Sequence, residues 1–217
     1  MNGTRLRRAG QKTGLTGGEI DLALARRGTA LRRELITCAA FAAIACSIVI
    51  ASLFAAPATS GLLGGALGLL MLAVAVADAR AFIIPDKLTI AAFLLALTNA
   101  AIEGLASMPE NIAVAALRGL VLALAFFALR EIYLRLRHRH GIGLGDVKLA
   151  AVAGAWLDWT LIPVAIEIAA LTALILYIAN QLVLRRPLCA AAKLPFGLFF
   201  APAIWVCWLL NAMFLES

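Results

Sequence analysis

The chain has 217 residues, 64% hydrophobic and 14% charged, with a formal net charge of +7 and a mean hydropathy of +0.98. Soluble domains are about 45–50% apolar and about 25% charged, and a soluble chain of this size needs a polar exterior around the roughly 70% of its surface that it buries. Too few polar residues remain to build one, so a soluble globular fold is excluded and lipid is the expected solvent.

Residues 1–34 differ from the rest. Arg5, Arg7, Arg8, Lys12, Arg26, Arg27, Arg32 and Arg33 make a basic leader interrupted by Gly17 and Gly18. Two readings stand for it. A helix over about 19–33 would lie on anionic lipid headgroups, at about 1 kcal/mol per basic residue near the surface; a disordered tail would only set orientation.

A bilayer is crossed by about 20 apolar residues in a helix. Seven runs are expected as membrane helices: 35–56, 61–79, 88–106, 111–128, 147–157, 160–184 and 194–214. The fifth is short for a full span, so it is either tilted or half-buried. The expected fold is an all-α, polytopic transmembrane bundle. It divides into a basic leader (1–34), an extra N-terminal membrane helix (35–60) and a six-helix core (61–217). Lys and Arg stay on the cytoplasmic side. With the N-terminus inside, seven crossings put 18 of the 19 basic residues inside, and only Arg118 falls elsewhere. The outer turns then carry Glu103, Glu110 and Asp158.

Cys38, Cys46, Cys189 and Cys207 lie in or beside apolar runs without a CxxC pair, and are read as small hydrophobes. His138 and His140 sit in a basic run without the HExxH pattern, so a solvated loop is expected there. No metal, cofactor or nucleic-acid partner is expected. Gly64, Gly65 and Gly68 have the small-xxx-small spacing of close helix packing.

Charges inside membrane helices are expensive and mark functional candidates. Asp78, Asp86, Asp146 and Glu167 qualify. Asp78 ends the second helix and Asp146 starts the fifth, which brings two carboxylates to the same cytoplasmic depth. Asp146 closes the string Gly141-Ile142-Gly143-Leu144-Gly145-Asp146-Val147-Lys148-Leu149. Gly143 and Gly145 remove side chains where a substrate backbone would approach. Asp78 precedes Ile83-Ile84-Pro85-Asp86-Lys87-Leu88-Thr89, and Pro85 disfavours helix at Ile84, so a turn is expected there. Asp86 is read as a turn former.

These blocks resemble the type IV prepilin peptidases, which are GxGD aspartyl proteases. Asp78 through Pro85 to Leu88-Thr89 is similar to the family's Asp–x6–Pro block. Gly141-x-Gly143-x-Gly145-Asp146-Val147-Lys148-Leu149 is close to its GxGD block. Leu194-Pro195-Phe196-Gly197-Leu198-Phe199 resembles its Pro-Phe-Gly-Pro-Phe segment, with Leu198 in place of the second proline. The resemblance covers about residues 61–217. It implies an aspartic endopeptidase of the bacterial inner membrane, acting on a prepilin whose basic leader precedes a hydrophobic helix. The compact, peptidase-only branch associated with tight-adherence pili is expected, because nothing here matches the CxxC-bearing cytoplasmic domain of the bifunctional members. Asp78 and Asp146 would be the dyad, with either able to serve as base or acid. Lys148 has two readings, a contact to substrate and an interfacial lysine that snorkels. Pro195 and Gly197 either shape the substrate groove or cap the last helix.

Two other classes compete. An ion-coupled transporter would use Asp78, Asp146, Arg118 and Glu167, but no inverted repeat or matched pair of broken helices is visible. An inactive assembly scaffold is disfavoured because both aspartates are present. Presenilin-like GxGD proteases carry Pro-Ala-Leu where this chain has Pro195-Phe196-Gly197. Finally, Arg118 and Glu167 each lie about seven residues, or roughly 10 Å, below the outer boundary. Two readings stand: a structural ion pair between them at equal depth, remote from the dyad, or an Arg118 that snorkels outward while Glu167 stays protonated.

Overall fold

Lipid offers a backbone amide no hydrogen-bond partner, so each spanning segment must satisfy its own, and the α-helix does so. The computed structural model describes residues 17–56, 58–102, 107–137, 142–184 and 195–214. The regular elements among them are seven α-helices: α1 (Gly17–Ala55), α2 (Ala58–Ala81), α3 (Asp86–Ile102), α4 (Met108–Arg137), α5 (Leu144–Trp156), α6 (Leu161–Leu184) and α7 (Phe196–Phe214). Among the described residues, five segments are long and apolar enough to cross a membrane: Glu34–Ala55, Thr59–Ala81, Met108–Arg137, Leu161–Val183 and Phe196–Phe214. The chain is a helical, multi-pass membrane protein.

The chain falls into two units, residues 1–47 and 48–217. In the first, residues 17–47 belong to α1, so the expected leader helix and first span are one helix. The junction expected near residue 34 was a change of polarity, and no Gly or Pro stands there to break the backbone. α4 also runs further than expected, to Arg137 rather than residue 128. Leu129-Arg130-Glu131 and the residues after them are good helix formers, and Arg135 and Arg137 sit in the last turn, where cations favour the helix dipole.

The second unit is arranged around α5. At 13 residues α5 is about 20 Å long, and Leu149, Ala150, Val152, Ala153, Gly154, Ala155 and Trp156 are all buried. It packs against α3, α4 and α7. From Leu149 onward the short fifth run is therefore a central helix enclosed by protein, which explains why that stretch is apolar all round.

Small residues let its neighbours close in. A Cβ on Gly154 would lie 2.6 Å from the Arg118 carbonyl oxygen, and one on Gly119 would lie 2.8 Å from that of Ala151. Here α4 and α5 touch backbone to backbone. The Gly64–Gly68 stripe on α2 packs as its spacing suggests: Gly64 lies against the Trp208 ring, and Gly68 against Ile48 and Trp205. Trp205 Nε1 donates to Ser52 Oγ at 3.1 Å, which itself donates to the Ile48 carbonyl at 2.8 Å. Phe126 of α4 stacks on Phe200 of α7 with ring centroids 5.8 Å apart.

Gly154→Ala should force α4 and α5 apart and lower stability by about 1–3 kcal/mol. Gly65→Ala, whose Cβ would meet nothing closer than 3.7 Å, should be neutral or stabilising by up to about 1 kcal/mol. Thermal unfolding of the two variants in detergent distinguishes the sites.

Candidate active site

One end of the second unit is built where α2 stops and where α3, α5 and α7 start. The first of these sites follows α2. Phe82 has a φ of 52°, left-handed backbone that costs an ordinary residue roughly 1–2 kcal/mol. Its N–H donates to the Asp78 carbonyl at 2.9 Å, which closes the helix, and the chain continues non-helically through Ile83, Ile84 and Pro85. The Pro85 carbonyl accepts from Leu88 N at 3.1 Å and Thr89 N at 3.4 Å, opening α3 at Asp86. The turn expected at Ile84 is present.

Asp78 thus stands in the last turn of α2, where it is only 6% exposed. Its Oδ2 accepts from the backbone N–H of Leu198 at 2.9 Å. That N–H belongs to the first turn of α7 and has no partner within its own helix; the Pro195 carbonyl, at 3.2 Å, shares it. Gly197 makes the approach possible, because a Cβ there would sit 2.9 Å from Asp78 Oδ2. Helix N-termini attract anions, and this one is supplied with a carboxylate from another helix.

Asp146 lies in the first turn of α5, outside the five spans. Its Oδ2 accepts from Gly143 N at 3.1 Å, the carboxylate half of a capping box. Burial pushes its carboxyl up to about 6; the Gly143 N–H opposes that shift, and the negative charge of Asp78 adds to it. The two aspartates are close enough to feel one another. Ile84 lies between their supports. A Cβ on Gly145 would lie 3.1 Å from Ile84 Cβ, Cγ1 and Cδ1, and one on Gly197 would lie 2.8 Å from Ile84 Cδ1.

Two features of this end were not visible in the sequence. Lys148 donates to Asp86, tying the first turn of α5 to the first residue of α3. Asp86 is therefore the start of a helix and an ion-pair partner, as well as following the turn. Both side chains are substantially exposed, so the pair adds at most about 1 kcal/mol; its effect is alignment. The second feature is the Leu198 amide, which no side-chain pattern could have signalled.

The other end of the bundle corrects the proposed Arg118–Glu167 pair. Arg118 is paired with Asp158, two residues beyond α5. α6 buries Ile162, Ala165, Ala169 and Ala173; Glu167, about 200° around the helix from Ala165, is exposed. Equal depth did not select the partner; the helical face did. The Asp158 carbonyl also accepts from Leu161 N at 3.0 Å and Ile162 N at 3.1 Å, so this residue joins α4, α5 and α6. A cavity of about 100 Å³ lies here, lined by Asn99, Arg118, Trp156, Asp158 and Asn211 among others. It is remote from the paired aspartates. His138, His140 and Cys189 lie outside the described residues. Among the described residues no three of His, Cys, Asp and Glu gather.

A multi-pass helical bundle with two aspartates held at helix starts defines the class. The sequence model of the type IV leader peptidase family matches residues 65–178. The chain belongs to the type IV leader peptidase family. It is 35% identical over 161 residues to a prepilin leader peptidase/N-methyltransferase of Escherichia coli K12, covering 73% of this chain and 66% of that protein. It is 30% identical over 129 residues to the protein of the same name in Aeromonas hydrophila, covering 59% and 42%. It is 40% identical over 74 residues to the leader peptidase HopD of Escherichia coli, covering 34% and 47%. The aligned chain thus spans from under half to about two thirds of these relatives. No solved structure matches.

Asp158→Ala should destabilise the protein by about 1–3 kcal/mol, because it leaves a largely buried guanidinium without its acceptor. Glu167→Leu should leave the melting temperature unchanged or raise it. A larger loss from Glu167→Leu than from Asp158→Ala would restore the pairing first expected.

Proposed function

We propose that this protein is an aspartic endopeptidase that removes the leader of prepilins or prepilin-like proteins. The observation that carries the reading is the pair of aspartates in separate motif blocks, each accepting a backbone N–H at a helix start and each close enough to sense the other. Family membership and the relatives' names support the substrate class.

The chemistry follows from the pair. Like charges a few ångströms apart resist joint ionisation, so such a dyad holds one proton over a range of pH. In this reading Asp146, whose carboxyl burial pushes up to about 6, holds it in the free enzyme. Asp78 is the base. It takes a proton from water as the oxygen attacks the scissile carbonyl, while Asp146 donates to the carbonyl oxygen. The tetrahedral intermediate then collapses: the C–N bond breaks, the proton held by Asp78 passes to the departing amine, and the hydroxyl formed from the carbonyl oxygen returns its proton to Asp146 as the new carboxyl group forms.

Orientation rests on charge. Arg80, Lys87, Arg135, Arg137 and Lys148 lie around the breaks that build this end, and the positive-inside rule makes it cytoplasmic. The bacterial inner membrane is then the location, with the N-terminus inside. A substrate's basic leader would remain in the cytoplasm and its hydrophobic helix in the bilayer, which brings the bond between them to the depth of the aspartates. Anionic headgroups would gather at the same face.

Coexpression with candidate prepilins should give a leader-length mass loss. Asp78→Asn and Asp146→Asn should each reduce it to background while the protein still inserts and folds. Processing by either variant would overturn the dyad. In purified enzyme, kcat/KM should fall as pH rises through about 6, because Asp146 then loses the proton it must donate. A profile that rises through that range would instead make Asp146 the base.

A further inference from the structure

The segment between α2 and α3 buries one side chain. Phe82 and Ile83 are 59% and 67% exposed, whereas Ile84 is 6% exposed. It does not belong to a helix, and no lipid-facing run requires it. Its neighbours restrain it: Phe82 holds a left-handed turn on one side, and the Pro85 ring limits the backbone on the other.

Ile84 touches the two places where the aspartates are held. The three atoms nearest the missing Cβ of Gly145, immediately before Asp146, all belong to Ile84. Gly197, immediately before the Leu198 amide that binds Asp78, faces Ile84 Cδ1 and Asp78 itself. One side chain therefore separates the N-terminus of α5, carrying Asp146, from that of α7, anchoring Asp78. We propose that Ile84 is a positioning residue whose side chain sets the spacing of Asp78 and Asp146. This rests on the peptidase reading, and it adds to it a buried residue that carries no reacting group.

A spacer differs from a core residue in what it controls. Truncating a core residue lowers stability and leaves the reacting atoms in place. Truncating a spacer lets α5 and α7 approach and misplaces the carboxylates, which lowers kcat while substrate affinity persists. The glycines give the means to restore the spacing, since a methyl group on Gly145 occupies the space that shortening Ile84 opens.

The experiment measures cleavage of a leader-bearing prepilin by purified full-length protein in detergent, with melting temperature recorded for each variant. Ile84→Ala should lower kcat about 100-fold, the scale of an ångström-level misplacement, with KM changed less than about 3-fold. Ile84→Leu, of equal volume, should keep kcat within about 10-fold of the parent. Gly145→Ala should also be slow, and Ile84→Ala combined with Gly145→Ala should be at least about 10-fold faster than the product of the single effects predicts. If Ile84→Ala does not fold, Ile84→Val decides the matter: it removes Cδ1, one of the three atoms that a Gly145 methyl would meet, and should partly rescue Gly145→Ala. Parental kcat in Ile84→Ala overturns the proposal. So does strict multiplication of the single effects in whichever double variant folds. Asp78→Asn separates the two levels of the argument. If it still cleaves, the dyad fails; if it is inactive while Ile84→Ala runs at parental speed, the spacer alone fails.

Discussion

A carboxylate removed from water needs a hydrogen-bond donor, and in a lipid-solvated bundle few are free. Almost every backbone N–H is consumed inside its own helix; the first turn of each helix is the exception. Both aspartates use that exception. Asp78 takes the Leu198 amide of α7, and Asp146 takes the Gly143 amide that leads into α5. The chain breaks at this end follow from the same need, since without helix starts there would be no donors to offer.

Small residues make the geometry possible. Gly197 lets the Asp78 carboxylate reach α7, and Gly145 lets α5 rest on Ile84. Further along α5, Gly154 meets Gly119 and the backbone of Arg118, holding the central helix close to α4. α5 is too short to span the membrane and too enclosed to face lipid. Its role is to carry Asp146 from within the bundle. Pairings flank it at both ends, Lys148 with Asp86 at one and Arg118 with Asp158 at the other, so its register is constrained along its length.

The two ion pairs show what charge placement does in this fold. Neither is fully buried; the exposed Lys148–Asp86 pair contributes little stability on its own, whereas Asp158 serves a largely buried guanidinium. Each joins the start or end of α5 to another element, and Asp158 also supplies the carbonyl that begins α6. Their value lies in orientation, which matters where helix starts carrying the two aspartates approach through glycines and one isoleucine.

Composition alone determined that lipid is the solvent, and apolar run length determined the principal helices, because a bilayer imposes both directly. The turn at Ile84-Pro85 was equally legible, since proline acts on its immediate neighbour. Ordered motif blocks singled out Asp78 and Asp146. Tertiary structure decided what depends on direction. Depth along a helix can be counted from a sequence, but Arg118 chose Asp158 over Glu167 because of the face each presents. The length of α1 and α4 was decided by the absence of a helix breaker where polarity changed. Backbone donors such as the Leu198 amide carry no residue signature, and the contact of Ile84 with Gly145 and Gly197 unites positions 61 and 113 residues apart. Only folding brings such positions together.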